Sequence, residues 1–231
     1  MAEYIATSIT GFGSVVERLL KQDLTDLKVL SLSDGLVHFR YSGDPRRLRR
    51  LLYLNNVFFV MKSFQRGESM EQMTASLGKG TLSPLIRKGT FRVRFSDAGQ
   101  FVSVPKNTTR SIEEQIMARS ALQLDRLHPQ TEIWLIRRRD GAGFYAQLLW
   151  KRRITEKDLP QGMLRPEMAY LLCRMMDLPS DAVVCDPFAG YGSLPAQLRT
   201  MVEQLNFYHL FHQKVLTYNY KPRQNISKQR E

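Results

Sequence analysis

The sequence is short of cysteine, of tryptophan and of acid. Its two cysteines, Cys173 and Cys185, stand far apart in 231 residues, forming neither a C-x-x-C pair nor a disulfide framework, which argues against structural zinc. His38 and His128 have no metal-ligand companions, so no metal site is assigned. Long apolar runs are also missing. Leu51 to Met61 is interrupted by Asn55 and Asn56 and falls short of the roughly 20 residues a membrane helix needs, so no membrane association is expected. The N-terminus lacks the basic segment and apolar run of a secretory signal, and with so little cysteine this points to the cytoplasm. There is no fixed-period repeat.

What is abundant is positive charge. Lys and Arg number 34 against 22 Asp and Glu, a formal charge of +12. Residues 1–164 hold 26 cations against 16 anions, residues 165–200 hold 3 against 4, and residues 201–231 hold 5 against 2. A basic first part joined to a near-neutral segment suggests that the first part holds a polyanion. A solvated basic face is the competing reading, because net charge speaks to association and not to fold.

Hydrophobic periodicity divides the chain into three blocks. In the first, Tyr4–Ile9 reads as a strand and Ser14–Gln22 as a helix, with Val15, Val16, Leu19 and Leu20 at helical spacing. Leu27–Leu32 and Leu36–Tyr41 alternate across Ser33-Asp34-Gly35 as a hairpin. Asp44 and Pro45 suit the N-cap and first position of an Arg-rich helix, Arg46–Leu52, followed by a strand at Val57–Phe64. In the second block, Ser69 and Gln72 make a capping-box pair before a short helix ending near Gly78. Phe91–Phe95 and Phe101–Val104 then read as a hairpin around Asp97-Ala98-Gly99, Ser111–Leu124 as a helix, and Thr131–Ile136 and Tyr145–Trp150 as strands. Trp134 and Trp150 alternate with apolar neighbours and read as core. The third block opens with a helix from Pro166, then a strand at Ala182–Cys185, a glycine turn, and a helix from about Leu194 to Leu205.

The turn in the third block carries the chemistry. Val183 to Ser193 places Asp186 at a strand's C-terminal end and Gly190 and Gly192 before a helix, the crevice where open parallel sheets bind ligands. Glycines admit close approach of backbone to ligand, and the N–H groups at a helix start favour an anionic group. On spacing alone, a tight strand-to-helix turn capped by Ser193 accounts for the pattern equally well.

The residues themselves are more specific. Asp186-Pro187-Phe188-Ala189-Gly190-Tyr191-Gly192-Ser193 resembles the D-P-F-C-G-S-G-T loop of THUMP-domain class I RNA methyltransferases, and Leu164-Arg165-Pro166-Glu167-Met168-Ala169 is similar to the L-R-P-x-x-A segment that precedes it. The resemblance extends diffusely over the first 160 residues. It implies a ferredoxin-like unit at 1–66, a THUMP module at 67–160 and the start of a Rossmann-like methyltransferase domain at 161–205, leaving 206–231 as a divergent basic tail. The fold class expected is therefore α+β followed by an incomplete α/β start. The resemblance further implies S-adenosylmethionine as cofactor, structured RNA such as tRNA as partner, and often guanine N2 as target. Asp186, Pro187, Phe188, Gly190 and Gly192 would line the cofactor, with Arg165 and Pro166 beside it. This sequence departs from the pattern at Ala189, Tyr191 and Ser193, and a phenol ring at Tyr191 would partly fill a cofactor pocket. The family also has an acid ending its second strand and a later Asn/Asp-Pro-Pro motif, and neither is found in residues 206–231. A Rossmann-like domain takes on the order of 150 residues. The expectation is a C-terminally truncated catalytic domain, with no residue assigned as catalytic, and RNA binding as the function that survives. The alternative is an active guanine-N2-methyltransferase if the product is longer or a partner chain completes it.

Phosphate contacts need cations, and these cluster. Arg46, Arg47, Arg49 and Arg50 share one helix, while Arg137, Arg138 and Arg139 and Lys151, Arg152 and Arg153 flank a strand pair. Arg87, Lys88, Arg92 and Arg94 add to the surface. Each cluster also reads as an ordinary solvated turn or helix face.

Overall fold

The computed structural model describes residues 1–77, 83–152, 158–178, 183–186, 189–201, 206–211 and 214–217. Met1–Arg153 form one compact unit and Ile154–Glu231 a second.

In chain order the first unit contains β1 (Ala2–Thr7), α1 (Gly13–Asp23), β2 (Leu27–Ser33), β3 (Leu36–Tyr41), a 3-10 helix η1 (Pro45–Arg50) and β4 (Asn56–Phe64). It continues with α2 (Met70–Ser76), β5 (Lys88–Asp97), β6 (Gln100–Phe101), α3 (Lys106–Arg119), β7 (Ala121–Leu124), β8 (Thr131–Arg137) and β9 (Gly143–Lys151). Local chemistry explains the joints. Asp34-Gly35 closes β2 onto β3 with Gly35 at φ 71, and Ala98 (φ 50) and Gly99 (φ 87) close β5 onto β6. Both are two-residue loops that need left-handed backbone to match strand twist. The capping box at α2 is reciprocal: the Gln72 N–H donates to Ser69 Oγ at 3.3 Å, and the Ser69 N–H donates to Gln72 Oε1 at 2.7 Å.

In this unit β1 lies two residues earlier than the expected Tyr4–Ile9, and three elements differ more from the sequence reading. The arginine-rich segment Arg46–Leu52 is not an α-helix, because the helical turn is 3-10 and stops at Arg50. Asp44 caps it as expected, but Leu48 is its one buried residue, too little apolar anchorage for a longer helix. The expected helix Ser111–Leu124 starts earlier, at Lys106, and ends at Arg119. There the Ser120 hydroxyl donates to the Ile116 carbonyl (2.7 Å) and accepts from the Leu122 N–H (3.3 Å), turning the chain into β7, which pairs parallel with β5. The strand expected at Phe101–Val104 shrinks to Gln100–Phe101, since Pro105 already begins the approach to α3.

All nine strands join one sheet, ordered β2-β3-β1-β4-β9-β8-β5-β6 with β7 on β5. The seam is β4 against β9, antiparallel from Asn56↔Lys151 to Phe64↔Gly143. The sheet is curled. Strands β3 and β9 are three ladder steps apart, about 14 Å if flat, yet the His38 and Phe144 rings meet at 5.0 Å. At the hairpin turns, Ser33 Oγ donates to Asp140 Oδ2 at 2.5 Å and Arg138 donates to the Asp34 carbonyl at 2.7 Å. Curling buries the inner face against itself: Ile5, Leu36, Phe58, Phe144, Ala146 and Leu148 form one core. On the outer face, α2 and α3 cover a second core around Phe91, Ile133, Leu135 and Tyr145, and α1 packs beside β2 and β3 through Val16, Leu19 and Leu20.

The second unit contains α4 (Pro166–Met176), β10 (Val183–Asp186), α5 (Ser193–Met201), β11 (Asn206–Phe211) and β12 (Lys214–Thr217). Strand β10 pairs parallel with β11, and β11 antiparallel with β12. Two strands therefore form inside 206–231, read from sequence as a tail; the run Asn-Phe-Tyr-His-Leu-Phe at β11 has the aromatic content that favours extended chain. Among the described residues no helix is long and apolar enough to cross a membrane.

Candidate functional site

The ladder register sorts the cations of the first unit. Asn56 of β4 pairs with Lys151 of β9, Leu148 of β9 with Glu132 of β8, and Thr131 of β8 with Phe91 of β5, three residues beyond Lys88. Lys151, Arg152, Arg87 and Lys88 therefore share one end of the β4–β9–β8–β5 ladder. Arg152 ties η1 to the same end: its guanidinium donates to the Leu52 carbonyl and, at 3.2 Å, to the Leu54 carbonyl in the segment joining η1 to β4. Arg137, Arg138 and Arg139 lie at the opposite end, on the β8–β9 turn. Arg153 falls outside the described residues.

The candidates are not equally available to a polyanion. Arg46, Arg47, Arg49, Arg50, Arg87, Lys88, Arg139 and Lys151 are exposed. The Arg49 and Arg50 side chains make no hydrogen bond among the described residues, and the Arg47 side chain makes one, to the Asp23 carbonyl at 3.4 Å. Arg46 folds back on its own cap, and the Arg46 N–H, then its guanidinium, hold the Asp44 carboxyl below its ordinary range. Arg87 donates to Ser83 Oγ at 2.5 Å. By contrast, Arg92 and Arg94 both face Glu132, which is 6% exposed, and Arg137 donates to Asp97 at 2.7 Å. The hydrogen bond to Asp97, then its charge, raise the Arg137 pKa.

Sequence reasoning missed Arg119 and Arg126. Once α3 ends at Arg119, with the Ala121 N–H donating to the Arg87 carbonyl at 2.8 Å, Arg119 falls at the cationic end. Arg126 follows β7, its side chain 65% exposed and anchored to Glu113. A cavity of about 740 Å³ on the outer face, between α2 and α3, carries Glu71 and Asp97 in its wall, and that acidic lining does not suit an RNA backbone.

The second unit presents the glycine turn. Asp186 ends β10, Gly190 (φ 50) and Gly192 (φ 73) adopt left-handed backbone, and α5 begins at Ser193. The Gly192 N–H donates to the Ala189 carbonyl at 2.6 Å, closing the turn. A Cβ at Gly192 would meet nothing within 4 Å, so backbone angle and not crowding demands glycine there. Tyr191 points to solvent, 62% exposed. Pro187 and Phe188 lie outside the described residues. Arg165 is the N-cap residue of α4 with Pro166 at its first position, and its guanidinium is engaged by Glu167, 1% exposed. Cys173 Sγ contacts the Leu194 carbonyl at 3.7 Å, packing α4 against the start of α5; burial pushes this thiol up to about 11.

No protein-family model matches the sequence, and no curated protein does. Solved structures do match. TrmN from Thermus thermophilus superposes with a TM-score of 0.64 at 18% identity, over 90% of this chain and 64% of that one. A protein described as a possible methylase, from Clostridium difficile 630, gives 0.58 at 16% identity, over 87% of this chain and 55% of that one. SMU.472, a provisionally assigned methyltransferase complexed with SAH, gives 0.55 at 17% identity, over 87% of this chain and 55% of that one. The mixed α/β fold with its curled sheet is thus the fold of these proteins. This chain spans 55% to 64% of their lengths.

Proposed function

We propose that this chain is the RNA-binding part of an S-adenosylmethionine-dependent RNA methyltransferase of the THUMP class. It grips structured RNA, with transfer RNA the candidate partner, in the cytoplasm. The observation that carries the reading is the convergence of η1, Arg87, Lys88 and Lys151 at one end of the curled sheet. Cations placed this way contact phosphates without reading sequence, which suits recognition of RNA by shape and backbone. The fold shared with TrmN and with methylases supports the class. On this reading residues 1–66 are the ferredoxin-like unit, 67–160 the THUMP module, and 161–205 the start of the Rossmann-like domain.

The second unit fits half of the cofactor. Asp186 at the end of β10, the left-handed turn at Gly190 and Gly192, and the α5 N-terminus suit the methionine side. The ribose side needs an acid after the next parallel strand. That strand is β11, and His209-Leu210-Phe211-His212-Gln213 supplies none. With no Asn/Asp-Pro-Pro segment for the target amine either, these 231 residues by themselves hold the cofactor weakly and transfer no methyl group. The parallel β10–α5–β11 arrangement favours the second reading, an active enzyme when further strands are supplied. Incubating the chain with tRNA and labelled S-adenosylmethionine, alone and with a second polypeptide that carries the missing strands, distinguishes the two, label appearing only in the supplemented reaction if the second holds; the chain alone tests the first. RNA retained on a filter without label in the base is the expected result, and labelled RNA would overturn the inactive reading.

A further inference from the structure

An exposed phenylalanine alone is unremarked chemistry on any protein surface. Phe101 is different because its surroundings hold it in place. The residue is 66% exposed, on the two-residue strand β6 at the sheet margin. The Arg94 guanidinium lies over its ring at 4.8 Å, and the Trp134 ring sits 5.5 Å away at a 41° tilt. These two supports are themselves fixed. Glu132, 6% exposed, accepts from Trp134 Nε1 at 2.9 Å, lies 3.8 Å from Arg94 Nε, and accepts from Arg92 Nε at 2.9 Å. Trp134 also meets Phe58 edge-on at 5.7 Å, so its far side is anchored in the inner core. The parallel register Arg92↔Glu132 and Arg94↔Trp134 sets all of this by backbone pairing.

The charge around the ring selects the partner. Residues 88, 90, 92 and 94 alternate onto one face of β5, so the exposed Lys88, and then Arg92 and Arg94, which share the single negative charge of Glu132 and keep a net positive one, lead from the cationic end toward Phe101, with alternate positions about 6.8 Å apart. An aromatic ring backed by arginine at the end of a cationic track suits a base with its phosphate, since every nucleobase has a π-face and stacking tolerates any sequence.

We propose that Phe101, supported by Trp134 and Arg94, is a stacking platform for an unpaired nucleobase of bound RNA. This rests on the RNA-binding reading and adds a requirement for single-stranded character at one point. Phe101 is a positioning contact for the base, and the cations carry the backbone.

The test compares wild type, Phe101→Ala and Phe101→Trp by anisotropy on three RNAs: a short single strand, the same strand with abasic positions, and a blunt duplex. Phe101→Ala is expected to bind the intact single strand about tenfold more weakly. It should bind the abasic strand and the duplex as wild type does, with an unchanged salt slope, while Phe101→Trp restores the affinity. Urea unfolding of Phe101→Ala checks that its fold is intact. Equal binding of the intact strand by wild type and Phe101→Ala overturns the platform and leaves RNA binding standing. Failure of wild type to bind any of the three overturns both.

Discussion

Glu132 is the residue on which most others depend. Its carboxylate, almost wholly buried on β8, takes Arg92, Arg94 and the Trp134 indole N–H. Removing it strands two partly buried guanidinium groups, and an unpaired buried charge costs far more than the pair contributes. Glu132→Ala is predicted to lose about 3 kcal/mol in urea unfolding, with Glu132→Gln losing less because it keeps an acceptor for Trp134. This hub was invisible in the sequence. Arg92 and Arg94 read there as surface cations because alternation assigns a face but not a neighbour, and the neighbour, 40 residues on, is set by the parallel pairing of β5 with β8. The exposed cations of η1 were legible, since four arginines around a single buried leucine have nowhere to go but water.

Among the elements, β1, β3 and β4 are clasped by Glu3. It accepts from Ser63 Oγ and pairs with His38 Nε2, both at 2.7 Å, with Arg40 Nε at 3.4 Å. Burial pushes this carboxyl up, but the hydrogen bonds from Ser63, His38 and Arg40 outweigh it and hold it below the ordinary value of 4.5. A folded value below the unfolded one means the ion contributes stability above the ordinary glutamate range and loses it as pH falls through the folded value. Glu3→Gln is therefore predicted to be about 1 kcal/mol less stable at neutral pH. Its thermal midpoint should also fall less than that of wild type as pH drops below about 4.5. Element type was largely readable, because the hairpins at Asp34-Gly35 and Ala98-Gly99 and the Ser69–Gln72 box are local chemistry. The end of α3 was not. Ile112, Ile116 and Leu122 fit a helical face as well as they fit a helix followed by a strand, and β5's unpaired edge decided between them.

At the scale of the whole molecule, the sequence divides basic from near-neutral, and the fold decides which basic residues converge. Curling and the β4–β9 seam gather η1, Arg87, Lys88 and Lys151, and send Arg137 to Arg139 to the opposite end, although both sets look alike as runs of charge. On the proposed reading, the glycine turn after Asp186 is the start of a methyltransferase domain, and β11, with no acid at its end, leaves the ribose side of its cofactor unheld.

The central claim is that the cationic end of the curled sheet binds RNA through phosphates. Its most direct test is the affinity of the chain for tRNA across a salt series, in wild type and in the double variant Arg49→Gln, Arg50→Gln. About six phosphate contacts give a slope of log K against log salt of roughly −5, and the double variant should lower its magnitude by about 2. A slope near zero, no binding at low salt, or a double variant that follows the wild-type line would contradict it.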